Sequence, residues 1–419
     1  MEKVLLVGLD TNSNDGITID SSVKELKELA EAAGGEVVSS IIQKRDRVDS
    51  SFYIGKGKVE EISIYCEELD IDTVIFNDEL SGAQMRNVEK VVNRKIVDRT
   101  NLILDIFASR ALTKEGKLQV ELAQLKYRLP RLIGLGTQLS RTGGGIGTRG
   151  PGEMKLEIDR RHILSRITDI KKQLKDIEKN RDIKRNKRSE SNLPVVALVG
   201  YTNAGKSTLF NNIIKRSDDY TDKKDVYVKD MLFASLETKL RKSLLPNGQR
   251  FLVTDTVGFV SKLPTHLIEA FKGTLEEVKY ADLLLHVVDI TNEDLDIQMN
   301  TTMKIIKDLQ AIDKPIITVF NKTDKIDYKD VNYNIEGPKV YISAKEGIGV
   351  DKLMKEIEEN LPQKFYDVKL LIPYSEGDIS SKVFSESKVE EYEYIEEGIK
   401  IKAVLNHIEY NRLKKYILD

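Results

Sequence analysis

Residues Pro194 to Asn211 read PVVALVGYTNAGKSTLFN, and the reading of this stretch decides the fold. Val195 to Val199 is a short apolar run of the kind a buried strand uses. It ends at Gly200, and the spacing G-x-x-x-x-G-K-S runs on through Gly205 and Lys206 to Ser207, where a helical pattern begins. Strand, glycine-bearing loop and helix in that order form a phosphate-binding loop. Gly200 and Gly205 let backbone N–H groups approach a phosphate chain closely, with the positive end of a helix behind them. Lys206 brings a point charge to the outer phosphates, and Ser207 an oxygen ligand for Mg²⁺.

A phosphate loop alone does not choose the base. Three later motifs do, each at the C-terminal end of an expected strand, where open α/β sheets bind their ligands. Asp255-Thr256-Val257-Gly258 follows Phe251–Thr254; its carboxylate can hold the Mg²⁺ hydration shell, and the Gly258 N–H can meet a γ-phosphate. Asn321-Lys322-Thr323-Asp324 follows Ile316–Phe320. The Asp324 carboxylate can accept from guanine N1 and N2, and adenine has no such pair of donors, so adenine would strand the carboxylate without partners. Ser343-Ala344-Lys345 follows the last strand, where a backbone N–H can meet guanine O6.

The chain of 419 residues is long enough for two or three domains. It is 40% hydrophobic and 32% charged, with a net charge of −2, so nucleic-acid binding requires local clustering of charge. No stretch is apolar enough to span a membrane. MEKVLLVGLDTNS carries Gly8 and Asp10 in a short apolar run and lacks a cleavage site, so it reads as a first strand. Cys66 is the only cysteine, which excludes an intrachain disulfide and a cysteine-rich zinc site. A cytoplasmic location follows as the expectation.

Residues 1–100 alternate apolar runs (Val4–Val7, Val37–Ile42, Thr73–Phe76, Lys95–Val97) with helical spacing (Ser21–Ala33, Lys58–Leu69, Ala83–Val92), the pattern of a small α/β domain. Between them, Phe52-Tyr53-Ile54-Gly55-Lys56-Gly57-Lys58 reads either as a glycine-bearing helix entry or as a second phosphate or RNA contact. Residues 101–190 turn helical. One helix carries Leu118, Leu122 and Leu125 and is expected to end near Leu129-Pro130; another, Glu153 to Lys187, carries Leu156, Ile163, Ile167, Ile170, Leu174 and Ile177. The Gly/Arg-rich segment 134–152, with Arg141 and Arg149, would be the tip of an antiparallel hairpin. The second helix is rich in basic residues, among them Arg160, Arg161, Arg166, Lys171, Lys172 and Lys175. A solvated face or RNA phosphate contact would both produce such a stripe, and a tip that cannot pack a core favours RNA.

Residues 191–364 alternate strands and helices after an early hairpin at Pro246-Asn247-Gly248-Gln249, giving a doubly wound sheet with an added edge strand. Residues 365–419 read as a small α+β domain, acidic around Glu390–Glu397. The fold class is α/β: a P-loop doubly wound sheet, preceded by a small α/β domain with a long helical hairpin and followed by a small α+β domain.

GYTNAGKSTLFN, LFASLETKLR, DTVGFVSKLP, FYIGKGKVEEI, QLKYRLPRL and RTGGGIGTRGPGE together resemble the HflX family, in the Obg–HflX group of GTPases. The resemblance runs from about Gly35 to about Lys364. It implies a cytoplasmic, ribosome-associated GTPase that uses GTP/GDP and Mg²⁺, binds the large ribosomal subunit and its RNA through the hairpin tip, and separates or rescues stalled ribosomes. A monomer without a DNA partner is the expectation. Carried over by position, Gly200, Tyr201, Thr202, Asn203, Ala204, Gly205, Lys206, Ser207 and Thr208 form the phosphate loop. Asp255, Thr256, Val257 and Gly258 belong to the second switch, Asn321, Lys322 and Asp324 read guanine, and Ser343, Ala344 and Lys345 support them. The first switch departs from the family's F-A-T-L-D-P: this chain has Phe233-Ala234-Ser235-Leu236-Glu237-Thr238, so Ser235, with Thr238 as the substitute, would sense Mg²⁺ beside Ser207. Lys206, Ser235, Asp255 and Gly258 would act on the transferred phosphoryl group. Asn203 stands where potassium-stimulated GTPases ligate K⁺, or else braces the loop. Phe259 stands where many GTPases carry a water-orienting glutamine and cannot hydrogen-bond that water, so slow hydrolysis accelerated by the ribosome is expected. Two other readings stay open: a nucleotide-driven RNA remodeller with a second nucleotide near Gly55–Lys58, and a signalling GTPase that recruits a protein through the acidic C-terminal domain.

Overall fold

The computed structural model describes residues 1–11, 18–139, 151–189, 193–215, 239–256, 258–262, 277–326, 335–361 and 365–418. Three sheets organise them. The first begins with β1 (Glu2–Asp10), whose run Val4–Val7 is buried on both faces, the signature of a parallel strand covered from two sides. Around it lie α1 (Ile19–Ala32), β2 (Gly35–Lys44), α2 (Lys56–Glu68), β3 (Thr73–Phe76), α3 (Gly82–Val92), β4 (Lys95–Asp98) and α4 (Arg99–Arg110), with all-parallel strand order β2-β1-β3-β4. The helices start where the side chains cap them. Thr18 accepts from the Ser21 N–H, Ser81 and Gln84 form a capping box, and Asp98 accepts from the Asn101 N–H. Each face of the sheet has its own core, one built around Leu26, Ile103 and Phe107 and the other around Ile54, Val74 and Phe76.

α4 supplies Leu102, Ile103, Leu104, Ile106 and Phe107 to the first of these cores. The boundary expected at residue 100 therefore falls inside α4, within the N-terminal unit whose core that helix completes. α5 (Lys114–Leu139) and α6 (Pro151–Ser189) form the expected pair of helices, zipped by Leu118, Leu122, Ile167 and Ile170 and tied by Arg166 to both Glu121 oxygens at 2.7 and 2.8 Å. Two details differ from expectation. α5 passes through Pro130 instead of ending there, and Gly134 and Gly136 lie within it. The tip thus begins later than residue 134, and α6 already starts at Pro151, so residues 151 and 152 are helix. Proline inside a helix deletes one backbone hydrogen bond. Here the surroundings hold the turn. Arg131, the next residue, donates through Nη1 to the Tyr127 carbonyl (2.7 Å) and through Nη2 to the Leu80 carbonyl (2.7 Å), Glu79 (3.0 Å) and Asp98 (3.2 Å). Its guanidinium also lies 3.4 Å over the Tyr127 ring. The motif QLKYRLPRL is thus the bolt between the hairpin and the N-terminal sheet.

The second sheet comprises β5 (Val195–Gly200), β6 (Lys239–Leu244), β7 (Arg250–Asp255), β8 (Leu283–Asp289), β9 (Ile316–Asn321) and β10 (Lys339–Tyr341), in the order β10-β9-β8-β5-β7-β6. Only β6 runs antiparallel, paired with β7 across the expected hairpin. Helices α7 (Lys206–Ile214), α8 (Leu295–Asp308) and α9 (Val350–Asn360) cover its faces over two cores, one holding Phe210, Phe251 and Met354 and the other Val199, Phe259 and Leu284. This is the doubly wound sheet with an edge strand read from the sequence. The third sheet is antiparallel, β11 (Phe365–Ile372), β12 (Lys388–Ile395), β13 (Gly398–Asn406) and the short β14 (Ile417–Leu418), in the order β12-β13-β11-β14. α10 (Gly377–Glu386) and α11 (His407–Leu413) complete the expected α+β unit; β14 is too short to show a strand pattern in the sequence. Among the described residues no helix is long and apolar enough to cross a membrane.

Candidate guanine-nucleotide site

The turn from β5 to α7 requires its glycines. Gly200 has φ 147°, and a Cβ there would lie 2.2 Å from the Val287 carbonyl oxygen; Gly205 has φ 92°, and its Cβ would lie 2.1 Å from Asn321 Nδ2. Lys206 folds back into the loop, donating to the carbonyls of Gly200 (3.1 Å) and Tyr201. Burial pushes its ammonium down to about 8, with the Asp255 carboxylate opposing the shift. His286 on β8 lies buried nearby and is held down to about 4 by burial and by the Lys206 charge, so it stays neutral. Thr202 Oγ1 is buried without a hydrogen-bond partner among the described residues. Asn203 is exposed at φ 60°, and the Tyr201 side chain turns away from the loop toward the N-terminal unit. The Thr208 side chain is half-buried in the first turn of α7.

β7 delivers Asp255, fully buried, to Ser207, whose Oγ donates to Asp255 Oδ2 at 2.8 Å. Two hard oxygen donors side by side suit Mg²⁺, which takes few protein ligands and fills its octahedron with water and phosphate oxygens. Thr256 is buried and donates to the Leu198 carbonyl (2.6 Å), locking the strand end in place. Gly258 lies against the phosphate loop: a Cβ there would meet Thr202 Cγ2 at 2.7 Å and Lys206 Nζ at 3.0 Å. Phe259 continues the clamp with backbone bonds, its N–H to the Gly200 carbonyl (3.2 Å) and its carbonyl to the Thr202 N–H (2.8 Å). Its ring is buried in the core beside Val199 and Leu284, so it presents no polar group to the phosphate loop.

The base-reading segments meet the loop from the other side. Asn321, buried at the end of β9, donates to the Ala204 carbonyl (2.8 Å) and accepts the Ala344 N–H (2.8 Å), joining three loops through one amide. Lys322 sits at φ 68° and pairs with Asp289 (2.7 Å). Asp324 is exposed, and Ser343 Oγ donates to it at 2.6 Å, which holds its carboxyl below the ordinary carboxylate range and keeps it an acceptor. Ala344 is buried, whereas the Lys345 side chain is largely solvated. The structure thus brings together the phosphate loop, Asp255, Gly258 and the two base-reading segments. Ser235, Thr238, Val257, Arg141 and Arg149 lie outside the described residues.

The Phe52–Lys58 run is occupied by the protein itself. Gly55 N–H donates to Gln43 Oε1 (2.8 Å), Lys58 pairs with Glu61 (2.6 Å), and Tyr53, at φ 71°, packs edge-on against Phe76 and hydrogen-bonds Asp78. That arrangement fits the helix-entry reading. Sequence reasoning missed the contacts behind the site. Glu25 and Arg99 from the N-terminal unit meet Tyr201 and Ser261, Lys262 pairs with Asp78 (2.6 Å), and Val260 is buried in the N-terminal core. A lone glutamate on α1 carries no local signature; only the quoted run DTVGFVSKLP pointed at Val260, Ser261 and Lys262.

Comparison with known proteins agrees along the whole length. Residues 20–108 match a family model described as GTP-binding GTPase N-terminal, 110–188 one described as GTP-binding GTPase Middle Region, and 195–322 one described as 50S ribosome-binding GTPase. The GTPase HflX of Caldanaerobacter subterraneus subsp. tengcongensis is 49% identical over 418 residues, covering 100% of this chain and 94% of that relative. That of Escherichia coli K12 is 37% identical over 407 residues, covering 95% and 93%. A crystal structure of a GTP-binding protein from Sulfolobus solfataricus in complex with GDP aligns with a TM-score of 0.45 at 25% identity, covering 86% of this chain and 98% of that one. The chain belongs to the HflX family of GTPases, enzymes that hydrolyse GTP.

Proposed function

We propose that this GTPase binds the large ribosomal subunit, hydrolyses GTP slowly on its own and faster on the subunit, and in doing so separates or rescues stalled ribosomes. The observation that carries the reading is the arm. α5 and α6 are zipped together and bolted by Arg131 to the N-terminal sheet, while α6 exposes Arg160, Arg161, Lys171, Lys172 and Lys175 along its solvent side. A stiff arm with a basic face suits RNA phosphates, and the matched family model is described as a 50S ribosome-binding GTPase. Arg141 and Arg149, between the two helices in the sequence, are the proposed RNA-binding residues.

In the nucleotide site, Lys206 and the backbone of residues 200–208 would hold the phosphates, Ser207 would ligate Mg²⁺ with Asp255 holding its hydration shell, and the Gly258 N–H would meet the γ-phosphate. Ser235 is the proposed first-switch ligand, and Asn203 a candidate K⁺ ligand. Mg²⁺ supplies charge neutralisation between the outer phosphates. Because Phe259 is buried and apolar, no side chain at that position orients the attacking water, which supports a low rate until the subunit contributes the missing group. Sedimentation through sucrose with a non-hydrolysable GTP analogue, GTP or GDP tests this. The analogue should carry the protein into the large-subunit fraction, GDP should not, and large subunits should raise turnover at least tenfold. Equal turnover with and without subunits, or no co-sedimentation, would overturn the reading. Replacing Arg141 and Arg149 by alanine should flatten the salt dependence of binding, by roughly 0.7–0.9 in log–log slope for each RNA phosphate that is no longer neutralised.

A further inference from the structure

The phosphate loop and the segment after Gly258 are joined from outside the nucleotide-binding sheet by the carboxylate of Glu25. Glu25 projects from α1 of the N-terminal unit. One of its oxygens accepts from the Tyr201 hydroxyl, in the phosphate loop, and from the Ser261 N–H (3.2 Å), three residues after Gly258. Its other oxygen accepts from Ser261 Oγ and pairs with Arg99. Arg99 is 1% exposed and closes the ring by donating to Ser261 Oγ (2.9 Å) and to Asn77 Oδ1 (3.0 Å). Asn77 is held in turn by Ser22 on α1. The chain on either side of Ser261 is anchored as well, Val260 in the N-terminal core and Lys262 on Asp78. Charge-assisted hydrogen bonds in a buried site are the strong ones, and a carboxylate shared by two loops fixes their separation.

We propose that Glu25 is a positioning residue for GTP hydrolysis. By holding Tyr201 and Ser261 at once it braces, beside the Phe259 backbone bonds, the spacing between the phosphate loop and Gly258, with Arg99 fixing the carboxylate's orientation. The spacing is tight, since a Cβ on Gly258 would lie 2.9 Å from Thr202 Cα. Small displacements of reacting groups cost large factors in rate, so a loosened tie is read mainly in kcat.

The test uses the full-length protein. Tyr201→Phe removes only the hydroxyl on the phosphate-loop side, and Ser261→Ala only the one on the switch side; both leave the Arg99–Glu25 pair intact. Glu25→Gln removes the charge. Steady-state hydrolysis (kcat and KM) and GTP and GDP affinities are measured for each, with thermal midpoints alongside. Expected are falls of about tenfold in kcat with KM within threefold, a lower ratio of GTP to GDP affinity, and less than a twofold further loss when Tyr201→Phe and Ser261→Ala are combined, because both act through one carboxylate. Unchanged kcat and affinity ratio in Tyr201→Phe and Ser261→Ala would reduce Glu25 to a structural tie and overturn the proposal. So would independent, multiplicative effects in the double variant. Should Glu25→Gln fail to fold, the two hydroxyl deletions decide.

Discussion

Lys206 is a buried ammonium whose pKa lies at about 8 in the nucleotide-free protein, because burial outweighs the attraction of Asp255. A bound triphosphate reverses that balance, so the phosphates restore the ammonium and its pKa rises. Nucleotide binding must then take up protons. At pH 8 the free protein carries the proton in about half of its molecules, so about half a proton enters per nucleotide bound; at pH 7 uptake shrinks to about a tenth. Between pH 7 and 9 the same linkage weakens affinity by about tenfold. Folding shows the complementary effect. Lys206 is depressed from 10.5 to about 8, so the unfolded chain binds more protons across that window, and the nucleotide-free protein gains stability as pH rises through it, by up to about 3 kcal/mol. Calorimetric titration of GDP at pH 8 in two buffers of different ionisation enthalpy reads the uptake directly, below the range where guanine itself loses its N1 proton. The enthalpies should differ by about half the difference between the buffers. Identical enthalpies would refute the argument that burial dominates at Lys206.

Asn321→Ala removes both bonds that join the phosphate loop to the Ser343–Lys345 segment, leaving the buried Ala344 N–H and Ala204 carbonyl unpaired. At about 1–3 kcal/mol for a stranded group, GDP affinity measured by fluorescence titration should fall about tenfold or more. Asp324→Asn turns an acceptor into a mixed donor and acceptor; guanine binding should weaken by more than a hundredfold while xanthosine diphosphate binding improves, and competition between the two nucleotides reads the exchange. Gly258→Ala places a methyl 2.7 Å from Thr202 Cγ2 and 3.0 Å from Lys206 Nζ, so GTP affinity and turnover should drop while GDP, which lacks the γ-phosphate, binds within a few fold of normal. Arg131→Ala leaves the fully buried Asp98 without its ion pair. Burial already pushes that carboxyl upward, and the loss should cost about 3–5 kcal/mol in denaturant unfolding at neutral pH. Part of the loss should be regained under mild acid, where Asp98 protonates.

The motifs carrying the chemistry were legible because each depends on neighbours in the chain. The glycines at 200 and 205, Lys206 and Ser207 work at fixed spacing on one strand–turn–helix, and Asp255, Asn321 and Ser343 each follow an apolar run that could only be a strand. The same locality explains the doubly wound sheet and the single antiparallel edge strand β6, whose partner is reached through a tight turn. Where local rules misled, tertiary contacts had overridden them. Pro130 reads as a helix end, yet α5 continues because Arg131 is bolted to Leu80, Glu79 and Asp98 across the sheet. α4 reads as the start of the hairpin, yet its Leu102, Ile103 and Phe107 fill the N-terminal core.

The sequence by itself therefore determined the guanine-nucleotide reading and the order of strands and helices around the phosphate loop, since each follows from spacing and side-chain chemistry within short segments. Only the tertiary structure decided how those segments depend on one another. A glutamate on α1 lies 236 residues before the serine it binds, and no pattern along the chain records that distance. The run FYIGKGK resembles a phosphate loop, but in space its tyrosine shares Asp78 with Lys262 of the second-switch segment. A carboxylate acquires partners only when packing removes water and brings donors to it, so the connection between the N-terminal unit and the nucleotide site exists in the fold alone.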